Sequence, residues 1–374
     1  GWNHFSPVMN LDISNNSTCN IKVESSVGTV QLSSDLPLVL GCQEPIAEWK
    51  IPSMRGIMAA RAKNIVLREP QFGFGLAYIN DEVNEKIKQL FDLAPLHNPA
   101  NLEGIIVASA IFDTAKQVAV FDTAFHQTIP VVAHKYALPN YLLTENKIRV
   151  YGFHGTSHKY VSEKAIHYLK EKTTAKAYKI ITIHLGNGCS MTAIKDGKSI
   201  DHTLGFGPMN GLIMGTRSGD VDQSVIFYLV NTLGYSIDAV STMLNKQSGM
   251  LGLTGYSDLR DIEANATQGN VECQLALDMN AYRIKKFIGS YSAVLNGLDA
   301  IVFTAGIGEN SSYIRKLVCT DMDYFGLELD DAKNEIRSKE IREINLPQSK
   351  AKILVIPTNE EIEIANQVYD LLLS

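Results

Sequence analysis

Two glycine turns, each placed directly after an apolar stretch, are the part of this chain best suited to hold phosphate. The first runs from His184 to Ser190 and follows Ile180–Ile183, and the second runs from Ala305 to Asn310 and follows Leu298–Thr304. A buried strand that ends in a glycine turn brings backbone N–H groups close to phosphate oxygens. A single Gly-x-Gly pair is usually an ordinary turn, but two with the same layout predict a nucleotide held between them.

Side chains in other loops complete an inventory for moving a phosphoryl group. Arg217 lies among small residues and offers a planar fork for phosphate oxygens. His154 offers a hydrogen bond to the charge that develops during transfer. Asp122 and Glu360 are hard oxygen ligands suited to Mg²⁺, with Mn²⁺ as the alternative.

Structural interpretations compete with these functional ones. Four histidines, taken one at a time, fit structural hydrogen-bonding roles better than catalytic ones: His97, His126, His158 and His184. Asp122 alone could cap a helix. His154 and His158 have the spacing of a zinc pair, but the sequence offers no evident third ligand, which argues against zinc. Arg217 in a glycine-flanked loop favours function.

The elements that must position these side chains are mixed strands and helices, which indicates an α/β fold. Apolar runs predict strands over 117–121, 179–185 and 352–356, and a hairpin over 191–198 that turns at Asp196–Gly197. Apolar residues at helical spacing predict helices over 81–90, 161–169, 223–233, 273–295 and 361–373. Residues 1–75 show no clear long period.

Composition bounds the class of protein. The chain has 374 residues, enough for two domains, and its net charge of −6 provides no basic field for nucleic acid or an anionic membrane. No uncharged apolar stretch reaches ~18 residues and no signal peptide is visible, so neither a spanning helix nor secretion is predicted. Five widely spaced cysteines without a C-x-x-C pair indicate reduced thiols in a cytoplasmic protein.

Eight polar segments, in this order, closely resemble the acetate kinase (acetokinase) family, which belongs to the actin and sugar kinase superfamily. They are APLHNPANLEGI, AVFDTAFHQTIP, YGFHGTSHKYV, HLGNGCS, GLIMGTRSGDVD, NKQSGMLGLTG, FTAGIGEN and PTNEE. The resemblance runs from about Asn80 to the C-terminus. These motifs are long and specific to the family, so chance does not explain their number and order.

The resemblance implies two ribonuclease-H-like domains facing across a cleft, with the first domain abbreviated. Residues 1–124, completed by helix 361–374, would form the first domain, and residues 125–360 would bind nucleotide and form a homodimer. The implied reaction is direct, reversible transfer from ATP to acetate, giving acetyl phosphate and ADP. Propionate is the alternative acceptor, and an impaired relative that only binds nucleotide is a further alternative.

The resemblance also assigns roles to individual residues. Asp122, His154 and Arg217 would be catalytic, and Glu360 would be a metal ligand that organises Mg²⁺ together with Asp122. The nucleotide would be bound by nine residues: His184, Asn187, Gly188, Asp258, Arg260, Gly306, Ile307, Gly308 and Asn310. A small apolar pocket for the acyl methyl group would be lined by Leu96, Phe153 and Pro208.

The N-terminal part of the chain departs from the family pattern. The nearest echo of the family's N-x-G-S-S-S-x-K phosphate loop is 11–19, which has no glycine to let the backbone approach a ligand. The nearest echo of H-R-V-V-H-G-G is 63–69, with Asn64 where the substrate-clamping arginine belongs. Residues 201–208 read D-H-T-L-G-F-G-P where the family usually has D-T-S-M-G-x-T-P. The departures upstream of Asn80 predict weak or absent acyl-phosphate formation with nucleotide binding retained.

Overall fold

The computed structural model describes residues 76–91, 98–112, 114–115, 117–172 and 177–373, together with the backbone of five strands between residues 3 and 40. The chain divides into two compact units. The first unit comprises residues 1–124 and 359–374, and the second comprises residues 125–358.

Within its described residues, the first unit combines short strands with three helices. Its strands are β1 (Asn3–Phe5), β2 (Val8–Ile13), β3 (Thr18–Ser25), β4 (Gly28–Asp35), β5 (Leu38–Leu40), β6 (Leu76–Tyr78) and β7 (Val118–Val120). Its helices are α1 (Asp81–Lys88), α2 (Asn98–Ile111) and the C-terminal helix (Glu360–Leu373). Strands β2, β3 and β4 form an antiparallel sheet, β1 pairs with β5 in parallel, and β6 pairs with β7 antiparallel.

The first helix of this unit begins where its sequence signals place it. The side chain of Asn80 accepts a hydrogen bond from the N–H of Val83 at 2.8 Å, which satisfies one free donor of the first turn of α1. Val83 and Ile87, one turn apart on α1, are buried in a small core with Leu102 of α2. This alternation of exposed charge and buried aliphatic residues fits the helix predicted over 81–90.

The second unit is built on a six-stranded sheet with the order β10-β9-β8-β11-β13-β12. The strands are β8 (Lys179–Leu185), β9 (Cys189–Lys195), β10 (Lys198–His202), β11 (Ala300–Thr304), β12 (Arg342–Glu343) and β13 (Lys352–Val355). The three central strands β8, β11 and β13 are parallel. Their residues are buried at nearly every position, as expected for parallel strands covered on both faces.

Helices cover both faces of this sheet. The helices described in this unit are α3 (Val131–His134), α4 (Asn140–Thr144), α5 (Gly155–Lys172), α6 (Gln223–Asn231), α7 (Ile237–Lys246), α8 (Gly249–Thr254), α9 (Leu259–Thr267), α10 (Val271–Leu295), α11 (Ala305–Asn310), α12 (Ser312–Cys319) and α13 (Asp331–Glu335). On one face, Ile181 and Ile183 pack in the same core as Ile284 of α10. On the other face, Ile180 packs with Val161 of α5.

The predicted elements and the observed ones agree closely within the described part of the chain. Strand β8 has the predicted bounds, and β9 and β10 form the predicted hairpin, in which Asp196 and Gly197 have positive φ of 52° and 77°. Helix α5 is longer than the predicted 161–169 because its first turn is made of small and polar residues that carry no apolar spacing. No helix in the described residues is long and apolar enough to cross a membrane.

Candidate functional site

The carboxyl edge of the central strands gathers most of the second unit's predicted site residues. Strands β8 and β11 are paired in parallel register, with Thr304 opposite His184. The glycine turn after β8 and helix α11 therefore leave the sheet side by side. Ligands of open α/β sheets bind at this edge, beyond the carboxyl ends of the strands.

The two glycine turns lead into different kinds of element. The turn at 186–188, closed by a 3.0 Å hydrogen bond from the N–H of Gly186 to the carbonyl of Gly188, leads into β9, which pairs along all of β8. In the second turn, Ala305 has φ of 64° and opens α11 at once, so Gly306 and Gly308 lie within this helix. Both turns follow buried strands as predicted, but the first joins two strands and the second opens a helix.

His154 is held at the start of α5 in an unusual backbone conformation. Its φ is 53°, in the left-handed region that non-glycine residues rarely adopt. Its Nδ1 lies 2.7 Å from the Oγ of Ser190, and its ring stacks on that of His184 with the centroids 4.3 Å apart. These contacts orient the imidazole of His154 along the edge of the sheet.

Gly188 lies between the two side chains predicted to stabilise transferred charge. A methyl group added to Gly188 would lie 3.2 Å from Nε2 of His154 and 3.8 Å from a terminal nitrogen of Arg217. Asn187 is also placed here, since its Oδ1 lies where a side chain on Gly215 would begin, only 2.2 Å from that position. The structure thus brings Asn187, Gly188, His154 and Arg217 together.

Arg217 is positioned by its loop and is available for an anion. The loop is tied to its neighbours by hydrogen bonds from Ser248 N–H to the carbonyl of Thr216 and from Leu251 N–H to the carbonyl of Gly215. One terminal N–H group of Arg217 donates to the carbonyl of Pro208 at 2.9 Å. Among the described residues no carboxylate forms an ion pair with Arg217. Burial lowers the pKa of this guanidinium from its usual value.

Buried histidines behind His154 are hydrogen-bonded to hydroxyl groups. His158 places its two ring nitrogens 2.7 Å from Thr182 Oγ1 and 2.8 Å from Ser190 Oγ. His184 places Nδ1 2.8 Å from Ser157 Oγ. Burial, reinforced by the neighbouring imidazoles, lowers the pKa of both histidines well below the usual range. The structural interpretation of His158 is confirmed, while nucleotide contact by His184 stays a prediction.

Helix α11 is supported by arginines that sequence reasoning missed. Arg315 is buried and donates to the carbonyls of Gly308 at 2.9 Å and Glu309 at 3.0 Å, and to Asn334. Arg342 donates to the same carbonyl of Glu309 at 2.8 Å. These bonds satisfy carbonyls at the end of α11 that have no partner within the helix. The sequence carries one signal of this role: Arg315 stands on the face of α12 that buries its apolar residues.

Other predicted nucleotide residues of the second unit are exposed or only partly buried. Asp258 caps α9 by accepting from the N–H of Arg260 at 2.9 Å, and it also pairs with the guanidinium of Arg260. Asn310 donates to the carbonyl of Gly306 at 2.8 Å. Ile307 is partly buried against the main core of this unit. Their contact with nucleotide stays a prediction.

The first unit carries the predicted metal-binding carboxylates. Burial raises the pKa of Glu360 to about 7, and the nearby charges of Asp122 and Glu361 add to this. A carboxylate beside other carboxylates favours a divalent cation, because the cation removes their repulsion. The described residues include no group of three His, Cys, Asp or Glu side chains that could hold a metal ion.

The predicted methyl pocket is described only in part. Phe153 and Pro208 are half-buried in the second unit, and Phe153 packs against its main core. Leu96 and His97 lie outside the described residues. The pocket therefore stays a prediction.

Comparison with known proteins identifies the relatives of this chain. The Acetokinase family model matches residues 74–366, which confirms the predicted resemblance and its N-terminal limit. The acetate kinase of Flavobacterium johnsoniae is 75% identical over 294 residues, which cover 79% of this chain and 73% of that protein.

Solved structures of the family have the same fold. The acetate kinase of Porphyromonas gingivalis superposes with a TM-score of 0.78 at 39% identity and covers 95% of this chain and 90% of that one. A propionate kinase from Francisella tularensis also has a TM-score of 0.78, at 35% identity, with 98% and 99% covered. The fold class predicted from the sequence is confirmed, and the chain belongs to the acetokinase family, whose members are phosphotransferases.

Proposed function

We propose that this chain catalyses reversible transfer of the γ-phosphoryl group of ATP to acetate, giving acetyl phosphate and ADP. The observation that carries the proposal is the position of Gly188 between His154 and Arg217 at the carboxyl edge of parallel strands. This arrangement combines a backbone that a phosphate can approach, a planar cation and an imidazole. High identity to a relative named acetate kinase supports acetate as the acceptor.

The chain's residues divide the work of the reaction. An oxygen of acetate forms a bond to the γ-phosphorus while the bond from that phosphorus to the bridging oxygen breaks, and the electron pair leaves with ADP. Arg217 and His154 stabilise the charge spread over the transferring oxygens, and loss of one such donor typically costs ~10²–10³ in rate. The Gly186–Gly188 turn and α11 hold the nucleotide through their backbones.

Glu360 and Asp122 fit a role as Mg²⁺ ligands. Burial raises the pKa of Glu360 and the nearby charge of Asp122 adds to this, so a divalent cation beside these two carboxylates is favoured. Two carboxylates are the usual protein contribution to a Mg²⁺ whose other ligands are water and substrate phosphates. The bound ion would neutralise charge on the phosphates, and Mn²⁺ is the alternative metal.

A hydroxamate assay tests the proposed reaction. We expect acetyl hydroxamate from ATP, Mg²⁺, acetate and hydroxylamine, and no product when acetate or ATP is omitted. A parallel reaction with propionate measures acceptor preference, which one methylene changes by only ~1–3 kcal/mol in an apolar pocket. Absence of product from folded protein that binds nucleotide would contradict the proposal and favour a nucleotide-binding relative.

We also propose a homodimer formed through the second unit. Helix α6 buries none of its own residues, and Phe227 and Tyr228 are 64% and 55% exposed. On α10, Leu275 and Tyr282 are 58% and 67% exposed. Exposed apolar residues in this number mark an interaction surface, and the occupant we propose is a second copy of the chain.

Light scattering after size exclusion tests the dimer. We expect the mass of two chains for the parent and a shift toward one chain for Phe227→Asp. Tyr369→Asp is the matched control, because Tyr369 is 54% exposed on the C-terminal helix of the first unit, whereas α6 and α10 belong to the second. A monomeric parent would overturn the proposal.

A cytoplasmic location is proposed from the cysteines and the charge. Cys189, Cys273 and Cys319 are buried free thiols. Thiols that persist unpaired are typical of a reducing compartment.

A further inference from the structure

Two buried histidines from different parts of the second unit are hydrogen-bonded to the main chain of Phe153. Nε2 of His126 lies 2.9 Å from the carbonyl oxygen of Phe153, and the N–H of Phe153 donates to Nε2 of His202 at 3.1 Å. The ring centroids of His126 and His202 lie 4.1 Å apart, and the two residues are 0% and 5% exposed. The backbone N–H and the backbone carbonyl of Phe153 are therefore both hydrogen-bonded to histidine side chains.

The chemistry of the peptide assigns opposite tautomers to these histidines. A carbonyl only accepts, so Nε2 of His126 carries a proton and donates to Phe153. A backbone N–H only donates, so Nε2 of His202 is unprotonated. Nδ1 of His126 then accepts from the hydroxyl of Ser199 at 2.9 Å, and Nδ1 of His202 donates to Thr192 Oγ1 at 2.8 Å.

The hydroxyl partners of His126 and His202 link these hydrogen bonds to the sheet. Ser199 and His202 lie on β10, and Thr192 lies on the neighbouring strand β9. Burial, reinforced by the surrounding imidazoles, lowers the pKa of His202 well below the usual range, so His202 stays neutral and keeps its acceptor. A protonated His202 would present a donor to the donor of Phe153.

The segment held in this way requires external support. Gly152 and His154 both have positive φ, 77° and 53°, and for a non-glycine residue this conformation costs about 1–2 kcal/mol. A side chain on Gly152 would begin 2.6 Å from the ring of His126, so this ring packs directly on the glycine. Strained backbone of this kind persists only where its surroundings determine it.

We propose that His202, acting with His126, is a positioning residue that sets the placement of His154 for phosphoryl transfer. His202 acts through the main chain of Phe153, the residue that immediately precedes His154. The inference rests on the proposed catalytic role of His154. It extends that role to a residue at which this chain has histidine where the family pattern has threonine.

Two substitutions at His202 test whether Nε2 is needed as the acceptor for the N–H of Phe153. His202→Phe keeps a ring of similar size but removes the acceptor for Phe153 N–H, and we expect kcat to fall about 10–100-fold, as for other supporting contacts. The KM for ATP should change by less than about threefold, because the nucleotide contacts are untouched. His202→Gln offers a carbonyl oxygen near the position of Nε2 and should recover most of the lost kcat.

A core variant separates positioning from loss of stability. Ile344→Ala removes a fully buried side chain at the far edge of the sheet, away from 152–154. It should lower the melting temperature while leaving kcat at a permissive temperature near that of the parent. Equal loss of kcat in Ile344→Ala and His202→Phe, parental kcat in His202→Phe, or no recovery in folded His202→Gln would overturn the proposal.

Nitrogen-15 NMR of labelled histidines gives a readout that is independent of activity. We expect His126 to carry its proton on Nε2 and His202 on Nδ1. The opposite assignment for either residue would overturn the proposal even if His202→Phe fails to fold. If the parent makes no acetyl phosphate but shows these tautomers, the proposed reaction is wrong, while the two histidine hydrogen bonds to Phe153 are supported.

Discussion

At the scale of single residues, the proposed function gives a reason for Gly188 to have no side chain. A methyl group added to Gly188 would stand 3.2 Å from Nε2 of His154 and 3.8 Å from a terminal nitrogen of Arg217, the two groups proposed to meet the transferring phosphoryl group. The three residues come from the β8–β9 turn, the residue before α5 and the 214–218 loop. Because three separate segments meet at this point, we expect small shifts of any one of them to alter the site.

Removal of either charge-stabilising side chain should reduce turnover more than binding. We expect Arg217→Ala and His154→Ala to lower kcat by ~10²-fold or more, because both groups act on charge that develops during transfer. The dissociation constant of ADP should change far less. Steady-state kinetics and calorimetric ADP titration measure the two effects, and parental kcat in either variant would show that its assigned role is wrong.

A single methyl group at Gly188 should also disturb the site. In Gly188→Ala the added carbon would stand 3.2 Å from Nε2 of His154, tighter than ordinary van der Waals contact, so the imidazole must shift. We expect kcat to fall about tenfold or more, since a small misplacement of a catalytic group is costly. Gly207→Ala is the matched control, because no atom lies within 4 Å of its added carbon. Similar kinetics for both variants would contradict this prediction.

At the scale of elements, one carboxylate on β12 links this edge strand both to β13 and to helix α5. Glu343 on β12 accepts hydrogen bonds from Lys352 of β13 at 2.8 Å and from Tyr168 and Lys172 of α5 at 2.8 and 3.2 Å. Burial alone would raise the pKa of Glu343, but these three donors outweigh it and lower the pKa to about 2. An edge strand and a covering helix thus share one charge.

This network should make part of the stability depend on pH. A lowered folded-state pKa contributes stability above the unfolded pKa of 4.5, and this contribution is lost as the pH falls toward about 2. Glu343→Gln should therefore lower the melting temperature at pH 7, with a loss of about 1–2 kcal/mol after solvent screening, and by less at pH 4 and pH 3.

Thermal melts of parent and variant across this pH range measure the effect. Glu340→Gln is the control, since Glu340 is exposed on the same segment and should show little difference at any pH. A Glu343→Gln deficit that stays constant from pH 7 to pH 3 would contradict the assigned network.

At the scale of the whole molecule, the part of the chain that matches the family and the part that departs from it make separate predictions. The family model begins at residue 74, and the nucleotide motifs all lie beyond it. We expect ADP with Mg²⁺ to raise the melting temperature, because a ligand that binds only the folded state adds ~2.7 kcal/mol at a hundred times its dissociation constant. A flat thermal-shift curve at millimolar ADP would contradict nucleotide binding by this chain.

The departing segment should limit the rate of acyl-phosphate formation. Asn64 carries no charge and cannot make the bidentate fork that an arginine offers to carboxylate and phosphate. We expect replacement of residues 1–75 by a family segment with the complete glycine loop and arginine to raise kcat at least tenfold, with ADP affinity nearly unchanged. Equal turnover of parent and chimera in the hydroxamate assay would show that another cation, such as Arg61 or Arg68, does this work.

The sequence by itself determined most of the strands and helices of the second unit and the family to which the chain belongs. Apolar runs at 179–185 and 352–356 and the apolar stripe of α10 are local patterns, because strand and helix periods depend on residues a few positions apart. The candidate residues His154, Arg217, Asn187 and Gly188 were visible in the same way, as short polar motifs. The length of α5 was not, since the buried first turn carries small residues without a period.

Only the tertiary structure decided how those motifs meet. Pairing of β8 with β11 places the two glycine turns side by side, although they are more than a hundred residues apart in the sequence. The hydrogen bonds of His126 and His202 to Phe153 join residues separated by 27 and 49 positions. Arg315 supports α11 from the next helix. Such contacts depend on register and on close packing in three dimensions, which a local pattern of residue types does not encode.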